Sequence, residues 1–330
     1  MKLKTKLMSA VAGAAFLANA GAASAQEITV AYFLEWPMPF QYAKEKGLYE
    51  DALGVDINWV SFDTGTAMSA AMASGDVDIS VSQGVPPFVV ATSAGQDLKI
   101  VDVAVSYSEN DNCVVRSDLE IDKTSAGELA GQKVAVPLGT AAHYGFLKQM
   151  SYFGVSLDSL NIVDMAPAEG QAALAQGAVG MACGWGGALR RMKESGNTLL
   201  TGAEKEELGI LVFDVTTVPS SVAAEQSDML TAFLKVTADA NAMWADEANQ
   251  AEMLPVIAKD AGMSEEDTMA TISTFVFPGV DEQLNAKWLG GGAQEFMKGV
   301  ADVFVASGSI DAAKASYADN VDTAPLAAVK

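Results

Sequence analysis

Two short segments carry residue types suited to gripping an anion: Asp63-Thr64-Gly65-Thr66 and Leu138-Gly139-Thr140-Ala141-Ala142-His143-Tyr144. Each follows an apolar run and leads into a helical pattern. Glycine lets the backbone approach a ligand, and threonine supplies a hydroxyl. The first turn of a helix leaves N–H groups free at the positive end of its dipole. For either turn alone, N-capping by threonine is a sufficient account. Facing each other across a cleft, the pair would suit a small tetrahedral oxyanion. With only Arg116, Arg190 and Arg191 in the chain, such an anion would be held mainly by amides and hydroxyls. His143 is the sole histidine. No neighbouring motif supplies a nucleophile and G-x-S-x-G is absent, so His143 is read as a hydrogen-bonding residue in or beside the clamp, not a general base.

Aromatic residues gather at the same strand ends: Phe33, Trp36, Tyr107, Tyr144 and Trp185. Trp185 stands between Gly184 and Gly186-Gly187, which suggests a flat wall against which something small packs. A cationic group there would gain about 0.5–2 kcal/mol of cation–π attraction. Glu35 and Asp214 are the carboxylates available to pair with such a cation. Ser82-Gln83-Gly84-Val85 is a further strand-end loop, with Gln83 and Gly84 as candidate lining residues. The expected ligand-binding set is therefore Glu35, Trp36, Thr64, Gly65, Thr66, Gln83, Gly84, Tyr107, Thr140, Ala141, Ala142, His143, Tyr144, Trp185 and Asp214. Two cysteines, Cys113 and Cys183, with no CxxC and no Cys/His cluster, argue against a zinc or redox site. No cofactor, metal or catalytic residue is expected.

The elements that must position these residues alternate. Strand patterns at 27–34, 55–62 and 77–84 are separated by helical segments. The first of these runs through 39–54 to Gly54; the second is capped by Asp63 or Thr64 and stopped by Gly75. The order repeats about 102 residues later, where Gly75-Asp76-Val77-Asp78-Ile79 lies over Gly177-Ala178-Val179-Gly180-Met181. Alternating strands and helices predict α/β units with parallel sheets, whose ligands bind beyond the carboxyl ends of the strands. After residue 225 the pattern is helical.

Lys2, Lys4 and Lys6, an Ala-rich apolar core and Ala23-Ser24-Ala25 read as a secretory signal peptide over residues 1–25. With 20 basic against 42 acidic residues, the net charge is −22. That excess works against binding nucleic acid or anionic membranes, while 50% hydrophobic residues point to a well-cored globular chain. In an exported protein two cysteines suit one disulfide; two buried thiols are the alternative.

The run "GTAAHYGFLKQMSYFGVSLDSLNIVDMAPAEGQAALAQGAVGMACGW" resembles the second lobe of taurine-binding periplasmic proteins. These are the substrate-binding components of taurine and alkanesulfonate ABC importers, in the NMT1/THI5-like group. "FDTGTAMSAAMASGDVDIS" resembles the first-lobe motif of that family and "KWLGGGAQEFMKGVADVFVASGSI" its C-terminal helices. The loops "AYFLEWPMPF" and "GWGGAL" depart from it, being richer in aromatics and in glycine. The resemblance implies an α/β type II periplasmic-binding-protein fold, two lobes joined by two crossover strands. Lobe one would be 26–112 plus 214–330, and lobe two 113–213. It also implies a Cys113–Cys183 disulfide and a monomer in the periplasm. That monomer would deliver taurine or a related small sulfonate to an inner-membrane ABC permease. Two other readings stay open here: a binding protein for another small zwitterion or cation, and a pyrimidine synthase of the THI5 kind.

Overall fold

The computed structural model describes residues 27–329; the expected signal peptide lies outside them. Ten strands form two five-stranded sheets. The first contains β1 (Ile28–Tyr32), β2 (Ile57–Ser61), β3 (Ile79–Gly84), β4 (Leu98–Ser106) and β10 (Phe213–Pro219), in the order β2-β1-β3-β10-β4. The second contains β5 (Asp111–Arg116), β6 (Lys133–Val136), β7 (Asn161–Asp164), β8 (Met181–Trp185) and β9 (Gly196–Thr198), in the order β7-β6-β8-β5-β9.

The internal repeat is visible in the strand pairing. Val30 and Ala31 of β1 lie parallel to Ile79 and Ser80 of β3, and Val134 and Ala135 of β6 lie parallel to Met181 and Ala182 of β8. In both copies a left-handed glycine, Gly75 or Gly177, ends the turn before the third strand. Only a residue without a Cβ adopts that conformation at little cost. The segment 39–54, expected as one helical stretch, is two short helices, Phe40–Glu45 and Leu48–Leu53. Gly47 turns left-handed (φ 70°) between them and breaks the run.

Each sheet also takes in one antiparallel strand from the other half of the chain's path. After β4 the chain crosses to the second sheet through residues 107–110, and it returns through 208–212 to β10. The crossings are tied together where Tyr107 N–H donates to Val212 O at 3.1 Å. β10 inserts between β3 and β4, which sets Asp214 opposite Gly84 at the carboxyl end of β3. β5 runs antiparallel to β8, setting Asp111 opposite Trp185 and Cys113 opposite Cys183. The two cysteines form a disulfide buried in the core.

The C-terminal helices close the structure. Helix Ser227–Ala245 covers the first sheet's face, where Phe233 packs on Tyr49 and Thr237 hydrogen-bonds the Tyr49 hydroxyl at 2.8 Å. Helix Gly292–Ala306 touches both halves. It packs on helix Val85–Ser93 of the first lobe, and its Phe296 and Phe304 meet Tyr144 and His143 of the second. Among the described residues no helix is long and apolar enough to cross a membrane.

The disulfide closes a sequence separation of 70 residues. A cross-link of that span restricts the unfolded chain and stabilises by about 2–4 kcal/mol. Replacing both cysteines by serine should lower the denaturant midpoint accordingly without altering the far-UV circular dichroism. Unreduced, denatured protein should titrate with no free thiols.

Candidate functional site

The carboxyl ends of both parallel units face one another, and the space between them is lined from both lobes. Gly65, Gly84, Phe33, Pro87, Tyr107 and Asp214 come from the first lobe and its crossing; Thr140, Ala141 and Trp185 come from the second. The enclosed volume is only about 20 Å³, little more than the space of one water molecule.

Two helix starts point into this space. Thr64 caps helix Gly65–Ser74, its Oγ1 accepting from Ala67 N–H at 3.2 Å. Thr140 caps helix Ala141–Phe153, accepting from His143 N–H at 3.4 Å and donating to Pro137 O at 2.6 Å. Each cap satisfies the third amide of its helix. The first two amides, on Gly65 and Thr66 and on Ala141 and Ala142, are left outside the helical ladder. A side chain on Gly65 would come within 2.7 Å of Pro87, so glycine is required for this close seating.

Opposite these amides lies a buried carboxylate. Asp214 is 2% exposed. The Tyr107 hydroxyl donates to its Oδ1 at 2.7 Å and the Ser82 hydroxyl to its Oδ2 at 2.8 Å. Ser82 also accepts from Trp36 Nε1 at 2.9 Å, so a relay runs Trp36–Ser82–Asp214. Ser82 holds a left-handed backbone (φ 62°), a strained conformation for serine that aims its hydroxyl at the carboxylate. Burial pushes the Asp214 pKa up to about 7; Tyr107 and Ser82 pull it down, and Asp111 pushes it further up. Asp111 is itself buried and raised to about 6, with Lys205 as its nearest counter-charge. Lys205, also buried, donates to the Asp111 backbone oxygen, and burial lowers its pKa. Among the described residues no cation pairs with Asp214.

The remaining expected residues sit elsewhere. Glu35, considered as a counter-ion for an ammonium, is engaged across the cleft by Arg191 in a two-pronged ion pair at 2.8 and 2.9 Å. Its backbone is left-handed (φ 53°), and its carbonyl accepts from Gly187 N–H at 3.3 Å. A Cβ on Gly186 would meet the Glu35 carbonyl at 2.5 Å, and one on Gly187 would meet the Glu35 carboxylate at 2.7 Å. The glycines beside Trp185 therefore make a socket for the first lobe's Glu35 loop. Trp36 is core, between Tyr107 and Phe275. Gln83 spends its amide on Gly65 O and Ser69 and accepts from Thr217, bracing the cleft from behind. Thr66 hydrogen-bonds Thr64 at 2.9 Å, and its methyl would lie 3.2 Å from a Cβ on Gly139.

His143 does not line the enclosed space. Its ring stacks on Phe304 (centroids 5.3 Å), and its Nδ1 accepts from Gly139 N–H at 3.1 Å. Burial lowers its pKa to about 4, which keeps Nδ1 an acceptor at neutral pH. It supports the Gly139–Thr140 turn from behind. Tyr144 packs edge-on against Phe296, and Ala142 is buried beside it. The expected binding set omits Pro87, Ser82 and Arg191, although the Ser82 loop and the three arginines stand out in the sequence. Proline carries no chemical signature, and the carboxylate partners of Ser82 and Arg191 lie 132 and 156 residues away. Among the described residues, no group of three or more His, Cys, Asp or Glu is placed to hold a metal ion.

Two lobes, each with an inserted antiparallel strand, and a cleft between their strand ends define the type II periplasmic-binding-protein fold. The NMT1/THI5-like family model matches residues 37–251, and the chain belongs to that family. It is 25% identical over 281 residues to the taurine-binding periplasmic protein of Escherichia coli (strain K12), covering 83% of this chain and 84% of that one. It is 27% identical over 203 residues to a putative aliphatic sulfonates-binding protein of Bacillus subtilis (strain 168), 60% of this chain and 59% of that one. Its fold matches the crystal structure of the periplasmic aliphatic sulphonate binding protein SsuA from E. coli with a TM-score of 0.69. That match is at 19% identity over 88% of this chain and 95% of the other.

The Glu35–Arg191 pair is reinforced by Arg190, which reaches Asp267 of the first lobe at 3.1 Å. Both pairs are partly exposed and bridge the lobes, so each contributes roughly 1 kcal/mol or less. Arg191→Ala should favour the open arrangement. X-ray scattering should show a larger radius of gyration, and raised salt should produce the same shift in the unaltered protein.

Proposed function

We propose that this chain is a periplasmic solute-binding protein that captures taurine, or a closely related small sulfonate, and presents it to an ABC permease. The observation that carries this reading is the pairing of unlike charges within one cleft. On one side two capped helix starts offer amides to an anion; on the other a buried carboxylate waits without a cation. Taurine carries a sulfonate and an ammonium two carbons apart, and so answers both. Its sulfonate would take the free amides of the Gly65 and Ala141 turns; the Thr140 hydroxyl proton is already given to Pro137 O. Its ammonium would meet Asp214 beside the Trp185 ring. The likeness to the E. coli taurine-binding protein supports the same ligand class. Glu35 is not the counter-ion in this reading, because Arg191 already neutralises it.

The closed space of about 20 Å³ is smaller than a sulfonate. Loading therefore requires the lobes to part about the paired crossings 107–110 and 208–212, with residues 26–112 plus 214–330 moving against 113–213. Bringing the lobes together would bury the ligand against amides that water solvates in the open state. The signal peptide and the relatives support a periplasmic location and a permease as partner.

Asp214 gives the reading a pH signature. An ammonium needs the ionised carboxylate, and ionisation is completed only as pH rises through about 7. Calorimetry should show taurine affinity increasing from pH 5.5 to pH 8 (roughly one unit either side of the raised pKa), whereas ethanesulfonate, which lacks the ammonium, should lack this rise. Asp214→Asn should remove the pH dependence and weaken taurine by about tenfold or more. Absence of taurine and ethanesulfonate binding at every pH would overturn the reading. The ligand-free protein should respond in the opposite sense. The folded pKa lies above the unfolded one near 3.9, so the native state holds more protons and stability should decline as pH rises from about 4 to 7.

A further inference from the structure

Beside the enclosed space lies a second one, a chamber of about 320 Å³ between the lobes, in the size range of small-ligand sites, about 300–1,000 Å³. Leu34 and Phe62 of the first lobe face Pro167, Ala168 and Ala188 of the second across it. Trp185 lines both spaces. Phe33 leans on Trp185 with ring centroids 6.1 Å apart, so one ring from each lobe forms the partition between them. The walls are mostly apolar; of the charged lining residues Glu35 and Arg191 neutralise each other, while Asp63 stands at the rim. Leu34 is 49% exposed here, leaving a large apolar side chain at the cleft with nothing drawn over it.

We propose that this chamber is a tail subsite, which receives the hydrocarbon portion of an extended alkanesulfonate whose head group sits at the two helix starts. Phe33 and Trp185 are the gate through which the chain passes. Because each lobe supplies a wall, the occupant is enclosed as the lobes close, which fits a ligand better than a docked protein. The inference rests on the sulfonate reading and adds ligand length to it. Taurine satisfies the inner site alone, while longer sulfonates forgo the Asp214 contact and gain apolar burial against Leu34 and Phe62.

The test is calorimetry at pH 7.5 with ethanesulfonate, butanesulfonate and hexanesulfonate on the unaltered protein and on Ala168→Phe. Ala168 is exposed on the first turn of helix Pro167–Ala175 and lines only the chamber, so the larger ring fills that space without entering the core. The unaltered protein should bind more tightly as the chain lengthens, by up to about fourfold per buried methylene. Ala168→Phe should cancel that gain for hexanesulfonate and leave ethanesulfonate within about twofold, as expected for a distant, independent site. Affinity that is flat or falling with chain length, or a gain that survives Ala168→Phe, overturns the tail subsite while ethanesulfonate binding stands. Binding of none of the three while taurine still binds overturns the subsite alone; failure of taurine as well overturns the sulfonate reading with it.

Discussion

The docking of the Glu35 loop into the glycine socket of the second lobe sets the spacing on which the cleft depends. Three groups of one residue are used at once. Its carbonyl takes the Gly187 amide, its carboxylate takes both prongs of Arg191, and its left-handed backbone turns the chain between Phe33 and Trp36. Phe33 is thereby laid against Trp185, and Trp36 is sent inward to the Ser82 hydroxyl. The lobe contact and the carboxylate relay are therefore coupled through four consecutive residues. A partly exposed ion pair is a weak bond by itself. That suits a contact that the proposed parting of the lobes would break and remake.

Electrostatics in the interior run against the chain's overall charge. An acidic protein gains little by burying more carboxylates, yet Asp214 and Asp111 lie beside the paired crossings at 2% and 1% exposure. Asp214 is stabilised by two hydroxyl donors, and Asp111 by its proximity to buried Lys205. The Asp111 charge pushes the Asp214 pKa further up than burial alone. Removing a charge from water is costly unless it is paired. A buried carboxylate facing a cleft without a cation therefore stores a preference for a positively charged visitor. The acidic outer surface, by contrast, is consistent with repulsion of nucleic acid and anionic membranes and adds nothing to ligand choice.

The internal repeat does not put the two helix starts at equivalent places. Thr140 follows β6, the counterpart of β1, whereas Thr64 follows β2, the counterpart of β7, and helix Gly65–Ser74 corresponds to Pro167–Ala175. The surroundings of the two starts differ as well. The first lobe contributes Pro87 and the inserted β10 with Asp214; the second contributes Trp185 and the His143-backed turn. His143 is held neutral by burial and supports the Gly139 amide from behind, a structural task that leaves it off the cavity wall.

Much of this was legible in the chain itself. Alternating apolar runs and capped helix starts are local properties, so strands, caps and the stops at Gly75 and Gly177 follow from residue chemistry over a few positions. The break at Gly47 was missed because an isolated glycine inside a helical pattern is tolerated at a modest cost and does not by itself mark a stop. Resemblance to the taurine-binding family, and not spacing, carried the pairing of Cys113 with Cys183. What only the tertiary structure decided is which side chains are already spoken for. Glu35 and Asp214 are both candidate counter-ions in sequence, with Asp214 favoured only by the apolar run before it. One is neutralised by an arginine 156 residues away, and the other is sealed between hydroxyls with no cation. The glycines around Trp185 read as space for a ligand but are filled by a loop from the opposite lobe. Sequence specifies the groups a residue carries. Which of them remain free to bind depends on long-range neighbours, and those are fixed only when two distant lobes come into contact.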